Sequence, residues 1–250
     1  MQLEVIRQRY DAPGPAFDTA VSRQILQEVA DGLRPDTLRL HIPPRVVAFG
    51  KRDVVAPGYP AAIEASIAQG FSAVERLAGG RAAVFHESTI AFAMASSIPD
   101  PRLGITERFE IMAKLMRDAL VTLGIRAEIG ELPGEYCPGR YSVHAGGRKL
   151  VGIGQRLIRG AAHVGGVMVV KDSNAVRSVL VPVYEALQLA WDPDTTGAIE
   201  DISGNIAVSD VIDSVLGQFE QMFHLTRGQV DTGTEAAAME RMSDHQPGVR

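Results

Sequence analysis

The chain has 250 residues, of which 46% are hydrophobic and 22% charged, and its formal net charge is −5. This composition allows a sizeable buried core in one large domain or two small ones, and the acidic balance argues against a general nucleic-acid binder. The single cysteine, Cys137, cannot form an internal disulfide; the first residues lack the apolar core of a signal peptide, and no run approaches the roughly 18 apolar residues of a membrane span. We therefore expect a soluble, cytoplasmic protein with a reduced thiol.

Apolar spacing predicts both helices and strands in the N-terminal part of the chain. Residues 16–31 repeat an apolar side chain at every fourth position, which is typical of an amphipathic helix. The run T-L-R-L-H-I, residues 37–42, alternates apolar and polar side chains and predicts a strand with one buried face. Residues 46–50 predict a second strand and residues 60–69 a short helix. Residues 81–95 are interpreted as two paired strands around H-E-S.

A long helix opens the next part of the chain, and Gly124 is expected to end it; its apolar face carries Phe109, Met112, Met116, Leu120 and Leu123. The runs Y-S-V-H and R-K-L-V-G-I-G-Q-R-L-I flank A-G-G, a short turn that suits a β-hairpin, and H-V-G-G-V-M-V-V predicts the strand that follows. Ser173 is expected to cap a helix that Pro182 limits, and Ser209 to cap a last helix.

The order of these elements favours an α+β fold with a mixed, mostly antiparallel β-sheet flanked by helices. Most strands meet through hairpins and not through βαβ crossovers, which is typical of such folds. After Gly228 the sequence lacks a core pattern. We therefore expect residues 1–227 to form one catalytic domain and residues 228–250 a flexible polar tail.

Cys137 lies in the Pro/Gly loop E-Y-C-P-G-R, and two interpretations of it stand side by side. A free cysteine is often a small buried hydrophobe, whereas a cysteine in a loop can be a nucleophile that a nearby cation activates. His144 and Lys149 are candidate cations if the hairpin folds back toward the loop. Lys149 is either an exposed strand lysine or a group that neutralises an anion or polarises a thioester carbonyl, and the glycines around it suit close approach of a ligand.

A Gly-Gly turn, Gly79–Gly80, lies in the segment E-R-L-A-G-G-R-A-A-V-F-H. It is either a plain tight turn or a backbone that closely approaches a substrate, with Arg76 and Arg81 as anion partners. His86 is either a core histidine or a site group. The sequence has no G-K-[ST] ending of a P-loop, no zinc-ligand spacing and no G-x-S-x-G elbow.

Three segments together resemble one superfamily. R-L-A-G-G-R-A-A-V-F-H resembles the R-x-x-G-G-x-x-V-x-H segment of the lipoate–protein ligase, octanoyltransferase and biotin–protein ligase superfamily. G-R-K-L-V-G-I-G-Q-R resembles its G-x-K-[LIV]-x-G-x-[AS]-x-R segment, and V-V-A-F-G-K-R-D its upstream strand end. The order and spacing agree over about residues 15–225. The loop C-P-G-R-Y-S-V is most similar to the cysteine-dependent octanoyl and lipoyl transferases of Gram-positive-type bacteria.

The resemblance implies the ligase catalytic-domain fold and a two-step acyl transfer. Cys137 would take an octanoyl or lipoyl group from a carrier-protein thioester, Lys149 would contact the carbonyl oxygen, and a lysine of a lipoyl-type acceptor domain would receive the acyl group as an amide. The implied donor is acyl carrier protein or the glycine-cleavage H protein, and the implied acceptor is H protein or a lipoyl domain of a 2-oxoacid dehydrogenase. Neither a cofactor nor a metal is required, and no nucleic acid or membrane partner is expected. The substrate-binding residues that it implies are Arg76, Gly79, Gly80, Arg81, His86, Gly152, Gln155 and His163.

The sequence also departs from the ligases of this superfamily. Arg81 stands where they usually have a third glycine, Glu75 where they often have arginine, and Gly154 where a small alanine or serine is common, a change expected only to widen the pocket. ATP-using ligases commonly need a further C-terminal domain or partner chain, for which the polar tail is too short. Two alternatives stay open: an ATP-dependent lipoate– or biotin–protein ligase, whose activity would survive loss of Cys137, and a non-catalytic protein that binds acyl groups or carriers.

Overall fold

Two β-sheets organise the chain in the computed structural model, which describes residues 1–10 and 12–248. The strands are β1 (Gln2–Ile6), β2 (Thr37–His41), β3 (Val46–Phe49), β4 (Ser72–Glu75), β5 (Ala83–Phe85), β6 (Thr89–Ser97), β7 (Glu128–Ile129), β8 (Val143–Ala145), β9 (Arg148–Ile158), β10 (Ala161–Val169) and β11 (His224–Arg227). The helices are α1 (Pro15–Ala30), α2 (Lys51–Val54), α3 (Tyr59–Ala68), α4 (Ile105–Thr122), α5 (Ser173–Ala186), α6 (Glu200–Ser203), α7 (Val208–Glu220) and α8 (Thr232–Glu240).

The large sheet has the strand order β11-β1-β2-β6-β10-β9-β8-β7, and the small sheet has the order β4-β3-β5. In the large sheet β1 pairs in parallel with β2 and β11, and the other neighbours are antiparallel. In the small sheet β3 pairs in parallel with β4 and antiparallel with β5. The α+β class with a mixed, mostly antiparallel sheet is therefore confirmed.

The two faces of the large sheet are covered by different elements. Helices α4 and α7 pack together on one face, over a core that includes Leu40, Phe92 and Met168. Helix α1 and the small sheet lie on the other face. On that face β6 and β10 present small residues, Ala91, Ala93 and Gly165, which leave room between the two sheets. This space becomes part of the candidate site.

Strand β2 differs from the expectation of a single buried face, because all five of its residues are buried. Arg39 is 1% exposed and points toward α1, where it pairs with the carboxylate of Asp18 and donates to the Asp18 carbonyl oxygen at 2.8 Å and the Ser22 hydroxyl at 3.1 Å. A buried charge is tolerated when it is paired and hydrogen-bonded. The alternation of polar and apolar residues in β2 therefore did not mean that its polar side chains face solvent.

The predicted helices and strands are otherwise confirmed in position, and the predicted hairpin joins β8 to β9. Its turn residues, Gly146 and Gly147, have φ angles of +57° and +73°. Two consecutive residues in the left-handed region are typical of a type I′ hairpin turn, which glycine adopts without a steric cost.

The prediction that residues 81–95 form two paired strands is wrong. Strand β5 pairs with β3 in the small sheet, whereas β6 lies in the large sheet between β2 and β10. Between them the chain turns at His86–Thr89, where the Thr89 hydroxyl donates to the His86 carbonyl oxygen at 2.8 Å. The segment therefore carries the chain from one sheet to the other.

Two predicted helix caps are also wrong. The side chain of Asp172, and not Ser173, caps α5 by accepting from the Ala175 N–H at 3.1 Å. Helix α5 also continues past Pro182 to Ala186, and burial of its apolar face against α3 and the small sheet offsets the cost of an internal proline. Helix α7 begins at Val208 after Ala207, so Ser209 lies inside it.

Residues 229–248 differ from the expected flexible polar tail, whose last two positions, 249–250, lie outside the described residues. Helix α8 packs against α1, and a 3₁₀ turn at Met242–His245 follows it. Val230, Ala238 and His245 are buried, and the Asp231 side chain caps α8. Two apolar anchors and one buried histidine in a polar segment are too sparse to produce a periodic core pattern. Among the described residues no helix has the length and apolar character needed to cross a membrane.

We predict that Gly166→Ala destabilises the fold by about 1–3 kcal/mol or more, because the added Cβ would lie 1.8 Å from the Gly152 carbonyl oxygen on the neighbouring strand. The matched control is Gly217→Ala in α7, where the added methyl meets nothing within 4 Å and is expected to stabilise the helix by about 0.5–1 kcal/mol. Urea unfolding of both variants checks this; equal free energies of unfolding would contradict the prediction.

Candidate active site

Cys137 lies in the loop between β7 and β8, and its backbone is held in an unusual conformation. Its φ angle is +42°, in the region that side-chain-bearing residues rarely adopt. Its N–H donates to the Tyr184 hydroxyl at 2.8 Å, and that hydroxyl donates to the Ala82 carbonyl oxygen at 3.0 Å. Burial raises the pKa of Tyr184 well above its usual value, so the hydroxyl keeps the proton that it donates. Helix α5 thereby fixes the cysteine backbone to the start of β5.

The sulfur of Cys137 faces the Gly79–Gly80 turn. The Arg81 N–H donates to Sγ at 3.2 Å, and the Arg76 guanidinium lies 3.7 Å from it. A hydrogen-bond donor and a cation at these distances are placed to stabilise negative charge on sulfur. A Cβ at Gly80 would lie 2.9 Å from Sγ and from Arg76 Nη1, so the turn needs glycine here. The turn therefore packs closely against the Cys137 sulfur, and its predicted approach to a substrate stays a prediction.

Lys149 is buried, with 1% exposure, and its ammonium group contacts three oxygens of the cysteine loop. Nζ donates to Glu135 Oε1 at 3.1 Å, to the Tyr136 carbonyl oxygen at 3.0 Å and to the Cys137 carbonyl oxygen at 2.8 Å. An ammonium group has three N–H donors, and these three acceptors occupy them. Lys149 and Cys137 are therefore adjacent in space, but the amine holds the main chain of the loop and is not free to meet a substrate.

Glu135 is the counter-ion of Lys149 and organises the rest of the loop. Its carboxylate is 3% exposed and also accepts from the Gly139 N–H at 2.9 Å and the Ser142 hydroxyl at 2.6 Å. The Lys149 ammonium also lies 4.9 Å from the centre of the Tyr136 ring. A buried ion pair is tolerated when further hydrogen bonds satisfy its members, as they do here.

Arg81 is itself fixed by a buried carboxylate. Asp53, which is fully buried, accepts from Arg81 Nη1 at 3.1 Å and from the Gly50 N–H at 2.9 Å. The segment V-V-A-F-G-K-R-D thus reaches the site through Asp53, which holds the arginine whose N–H contacts the thiol.

An apolar channel lies between the two sheets, and one of its lining residues is Arg76, whose guanidinium lies 3.7 Å from the Cys137 sulfur. Its floor is Ala91, Ala93 and Gly165 of the large sheet, and its roof includes Val74 and Phe85 of the small sheet. Leu77 and Ala78 line both this channel and an open cleft that also contains Gly79, Gly80, Arg81, Pro138, Gln155 and Tyr184. The channel is mostly apolar and its cleft end polar, which is the usual arrangement of a site for a chain-like ligand.

Most of the predicted substrate residues border these spaces. Arg76 and His163 line the channel, and burial together with the Arg76 charge lowers the pKa of His163 to about 4, so the imidazole is neutral at neutral pH. The Gln155 side chain accepts from Arg108 Nε at 3.0 Å and donates to the Ile105 carbonyl oxygen at 3.2 Å, tying β9 to α4. Gly152 lies beside Lys149, whose Cε would be 3.5 Å from an added Cβ.

His86 and Gly154 differ from their expected roles. His86 is 1% exposed, accepts from the Ser88 N–H at 3.2 Å in the turn after β5, and lines neither the channel nor the cleft. Gly154 does not widen the pocket: an added Cβ would lie 2.9 Å from both Arg76 Nη2 and the Gly79 carbonyl oxygen. The absence of a side chain at Gly154 lets the Gly79–Gly80 turn pack directly on β9.

Sequence reasoning missed Glu135, Asp53 and Tyr184. Glu135 and Asp53 lie in segments that had been singled out, but a carboxylate gives no sequence signal that it will be buried. Tyr184 follows a proline that was expected to end its helix. Among the described residues no cluster of three or more His, Cys, Asp or Glu side chains could hold a metal ion.

We predict that Lys149→Met lowers the free energy of unfolding by about 3–5 kcal/mol, because it leaves the Glu135 carboxylate buried without its cation. The double variant Glu135→Gln, Lys149→Met removes both charges and should recover part of this loss. Lys114→Met, which breaks a surface pair with Asp118, is the control and should cost about 1 kcal/mol or less. Urea unfolding measures the free energy of unfolding of each variant. A double variant less stable than Lys149→Met would contradict the assignment of Glu135 and Lys149 as a buried ion pair.

Comparison with known proteins agrees with this architecture. The model of the lipoyl protein ligase A/B catalytic domain matches residues 14–220. A crystal structure of lipoate-protein ligase A bound with ATP superposes with a TM-score of 0.79, covering 97% of this chain and 94% of that one at 18% identity. A lipoate protein ligase structure from T. acidophilum with bound lipoic acid, described as putative, has a TM-score of 0.76 over 98% and 96% of the two chains, also at 18% identity. At this identity the likeness establishes the fold.

Curated relatives carry acyltransferase names. The octanoyl-[GcvH]:protein N-octanoyltransferase of Geobacillus kaustophilus is 31% identical over 67% of this chain and 61% of its own length. The enzyme of the same name from Bacillus velezensis is 29% identical over 76% of this chain and 68% of its own length. The lipoyl-[GcvH]:protein N-lipoyltransferase of Listeria monocytogenes is 28% identical over 76% and 74%. The alignment with the Geobacillus protein thus spans about three-fifths of that relative.

The match over residues 14–220, the shared fold and the ordered motifs agree, and the chain belongs to the lipoyl protein ligase A/B catalytic domain family.

Proposed function

We propose that the chain is an acyltransferase of lipoate metabolism that moves an octanoyl or lipoyl group through a Cys137 acyl-enzyme. The observation that carries this proposal is the thiol itself, which has the Arg81 N–H at 3.2 Å and the Arg76 guanidinium at 3.7 Å; Arg76 also lines the apolar channel. The acyltransferase names of the relatives support it.

In the first step the Cys137 sulfur attacks the thioester carbonyl of the donor. A new S–C bond forms, the donor C–S bond breaks, and the donor thiol leaves with the proton that Cys137 gives up. The product is again a thioester, so it keeps the reactivity that acylation of an amine requires. The acyl chain would lie in the channel, where its burial between the sheets supplies binding energy.

In the second step the ε-amine of an acceptor lysine attacks the acyl-enzyme. An amide forms, the bond to Cys137 breaks, and the thiol is regenerated. Donor and acceptor would reach the thiol through the cleft that Gly79, Gly80, Pro138 and Tyr184 line. The names of the relatives print GcvH, which supports the glycine-cleavage H protein as one substrate. Acyl carrier protein as donor, and lipoyl domains of 2-oxoacid dehydrogenases as acceptors, are further parts of the proposal, as is a cytoplasmic location.

For Lys149 we propose a positioning role first. Its three donors hold residues 135–137, so contact with a thioester oxygen requires the exchange of one of these acceptors when substrate binds. The charge of the ammonium group next to the Cys137 carbonyl would still favour developing negative charge nearby.

We expect one octanoyl adduct on Cys137 when the protein is mixed with octanoyl-acyl carrier protein or octanoyl-H protein, because the thiol is the nucleophile. Intact-protein mass measures the adduct, which hydroxylamine should release and which Cys137→Ala should lack. No adduct from either donor would sink the transferase proposal. ATP-dependent ligation of lipoate that survives Cys137→Ala would establish the ligase alternative. Acyl binding without any adduct or ligation would establish the non-catalytic alternative.

We also expect Tyr184→Phe to slow acylation of Cys137 by about tenfold to a hundredfold, because the left-handed cysteine backbone loses the hydroxyl that fixes it. The ring packing of Tyr184 is kept in this variant. Tyr10→Phe is the control, since it removes a hydroxyl bound to Glu235 away from the thiol. Single-turnover acylation rates compare them, and equal rates would show that the Tyr184 hydroxyl does not position the nucleophile.

A further inference from the structure

The open cleft that Gly79, Gly80 and Tyr184 line is called the thiol cleft below. A second cleft adjoins it on the side of the C-terminal segment. We call it the cationic cleft; its basic lining residues include Lys51, Arg76, Arg156 and Arg241. Residues of α1, the end of β9 and the segment after α8 therefore contribute to it. The formal charge of the whole chain is −5, so this concentration of positive charge is not a reflection of composition.

The carboxylates of Glu75 and Asp244 also line this cleft, so its positive charge is partly offset within the described residues. Arg23, at its rim, pairs with Asp244 at 2.5 Å. Lys51, Arg156 and Arg241 form no ion pair with another described residue. Arg156 Nε is a buried donor without a hydrogen-bond partner. Buried polar groups and partly buried cations are normally paired, so this site is suited to an anionic ligand.

The cationic cleft is continuous with the thiol cleft. Lys51, Leu77 and Arg156 line both. Arg76 also lies 3.7 Å from the Cys137 sulfur and lines the acyl channel. One ligand can therefore place an acyl chain in the channel, a thioester at the thiol and an anion in the cationic cleft.

We propose that the cationic cleft binds the phosphate ester of a 4′-phosphopantetheine thioester, the donor of the acyl group. This inference rests on the proposed function and selects between its donors. A phosphopantetheine arm carries a phosphate at one end and the acyl thioester at the other, whereas an acylated lysine arm carries no anion along its length. Guanidinium groups match phosphate oxygens with paired N–H donors, and Lys51 adds a point charge.

The chemical step is unchanged by this assignment. The Cys137 sulfur forms a bond to the acyl carbon, the C–S bond of the donor breaks, and phosphopantetheine leaves as a free thiol with the proton from Cys137. The phosphate takes no part in the reaction and only holds the arm.

The test compares octanoyl-4′-phosphopantetheine with octanoyl-pantetheine, which has the same thioester and no phosphate. We expect the second-order rate constant for acylation of Cys137 to be about tenfold higher with the phosphorylated donor. In the double variant Arg156→Gln, Arg241→Gln this ratio should fall to near one. Arg159→Gln, an exposed arginine in the β9–β10 turn outside the cationic cleft, is the matched control and should keep the ratio. Lys51→Gln changes an exposed residue and provides a variant whose fold is not at risk; it should reduce the ratio partly.

Equal rate constants for the two donors in the wild type would overturn the proposal, as would a ratio that survives in the double variant. Acylation by octanoyl-H protein alone would also overturn it. These failures differ from failure of the proposed function, because octanoyl-pantetheine would still acylate Cys137 if only the phosphate site were wrong. Octanoyl-coenzyme A and octanoyl-acyl carrier protein identify the source of the arm. A higher rate constant with octanoyl-acyl carrier protein than with octanoyl-coenzyme A supports a protein-bound arm. Equal rate constants with the two donors support recognition of the arm alone.

Discussion

A buried ammonium group at the end of Lys149 holds oxygens of three successive residues, Glu135, Tyr136 and Cys137, and the position of the thiol depends on these bonds. The loop has no strand or helix of its own between β7 and β8. Its backbone carbonyls therefore need partners from elsewhere, and a lysine from the adjoining strand β9 supplies them. The ion pair of Lys149 with Glu135 is buried, so its attraction has to offset the cost of removing both charges from water. This requires a well-defined geometry of the two side chains.

The thiol is then held between two fixed partners. On one side α5 fixes its N–H through Tyr184, and on the other the turn before β5 presents the Arg81 N–H to the sulfur. Asp53 holds the Arg81 side chain, and Gly80 and Gly154 allow the intervening turn to pack without a Cβ. Each partner comes from a different element of the small sheet or its helices. The surroundings of the thiol therefore depend on how the two sheets meet, and no single motif contains them.

The sequence predicted the fold class, most helix and strand positions and the two residues at the centre of the site. Periodicity identifies elements well where one face is apolar, as in α4 and the β8–β9 hairpin. It failed for Arg39, because alternation cannot distinguish solvent from a buried carboxylate such as Asp18. It failed for β5 and β6, because strand partners across two sheets are not encoded in local spacing. The functional motifs identified Cys137 and Lys149 by resemblance, but the direction in which the lysine amine points follows from the loop conformation, which sequence alone did not provide.

The floor of the channel between the sheets restricts how the width of this channel can change. Ala91, Ala93 and Gly165 carry small side chains or none, and an added Cβ at Gly165 would lie 2.6 Å from the Phe92 carbonyl oxygen. Substitutions at these three positions can therefore narrow the channel but cannot enlarge it. Room for a bulkier ligand has to come from the larger side chains that line the channel, such as Phe92 and His163 of the large sheet and Val74 and Phe85 of the small sheet. The widest ligand that the channel admits is accordingly set by these larger side chains and not by its floor.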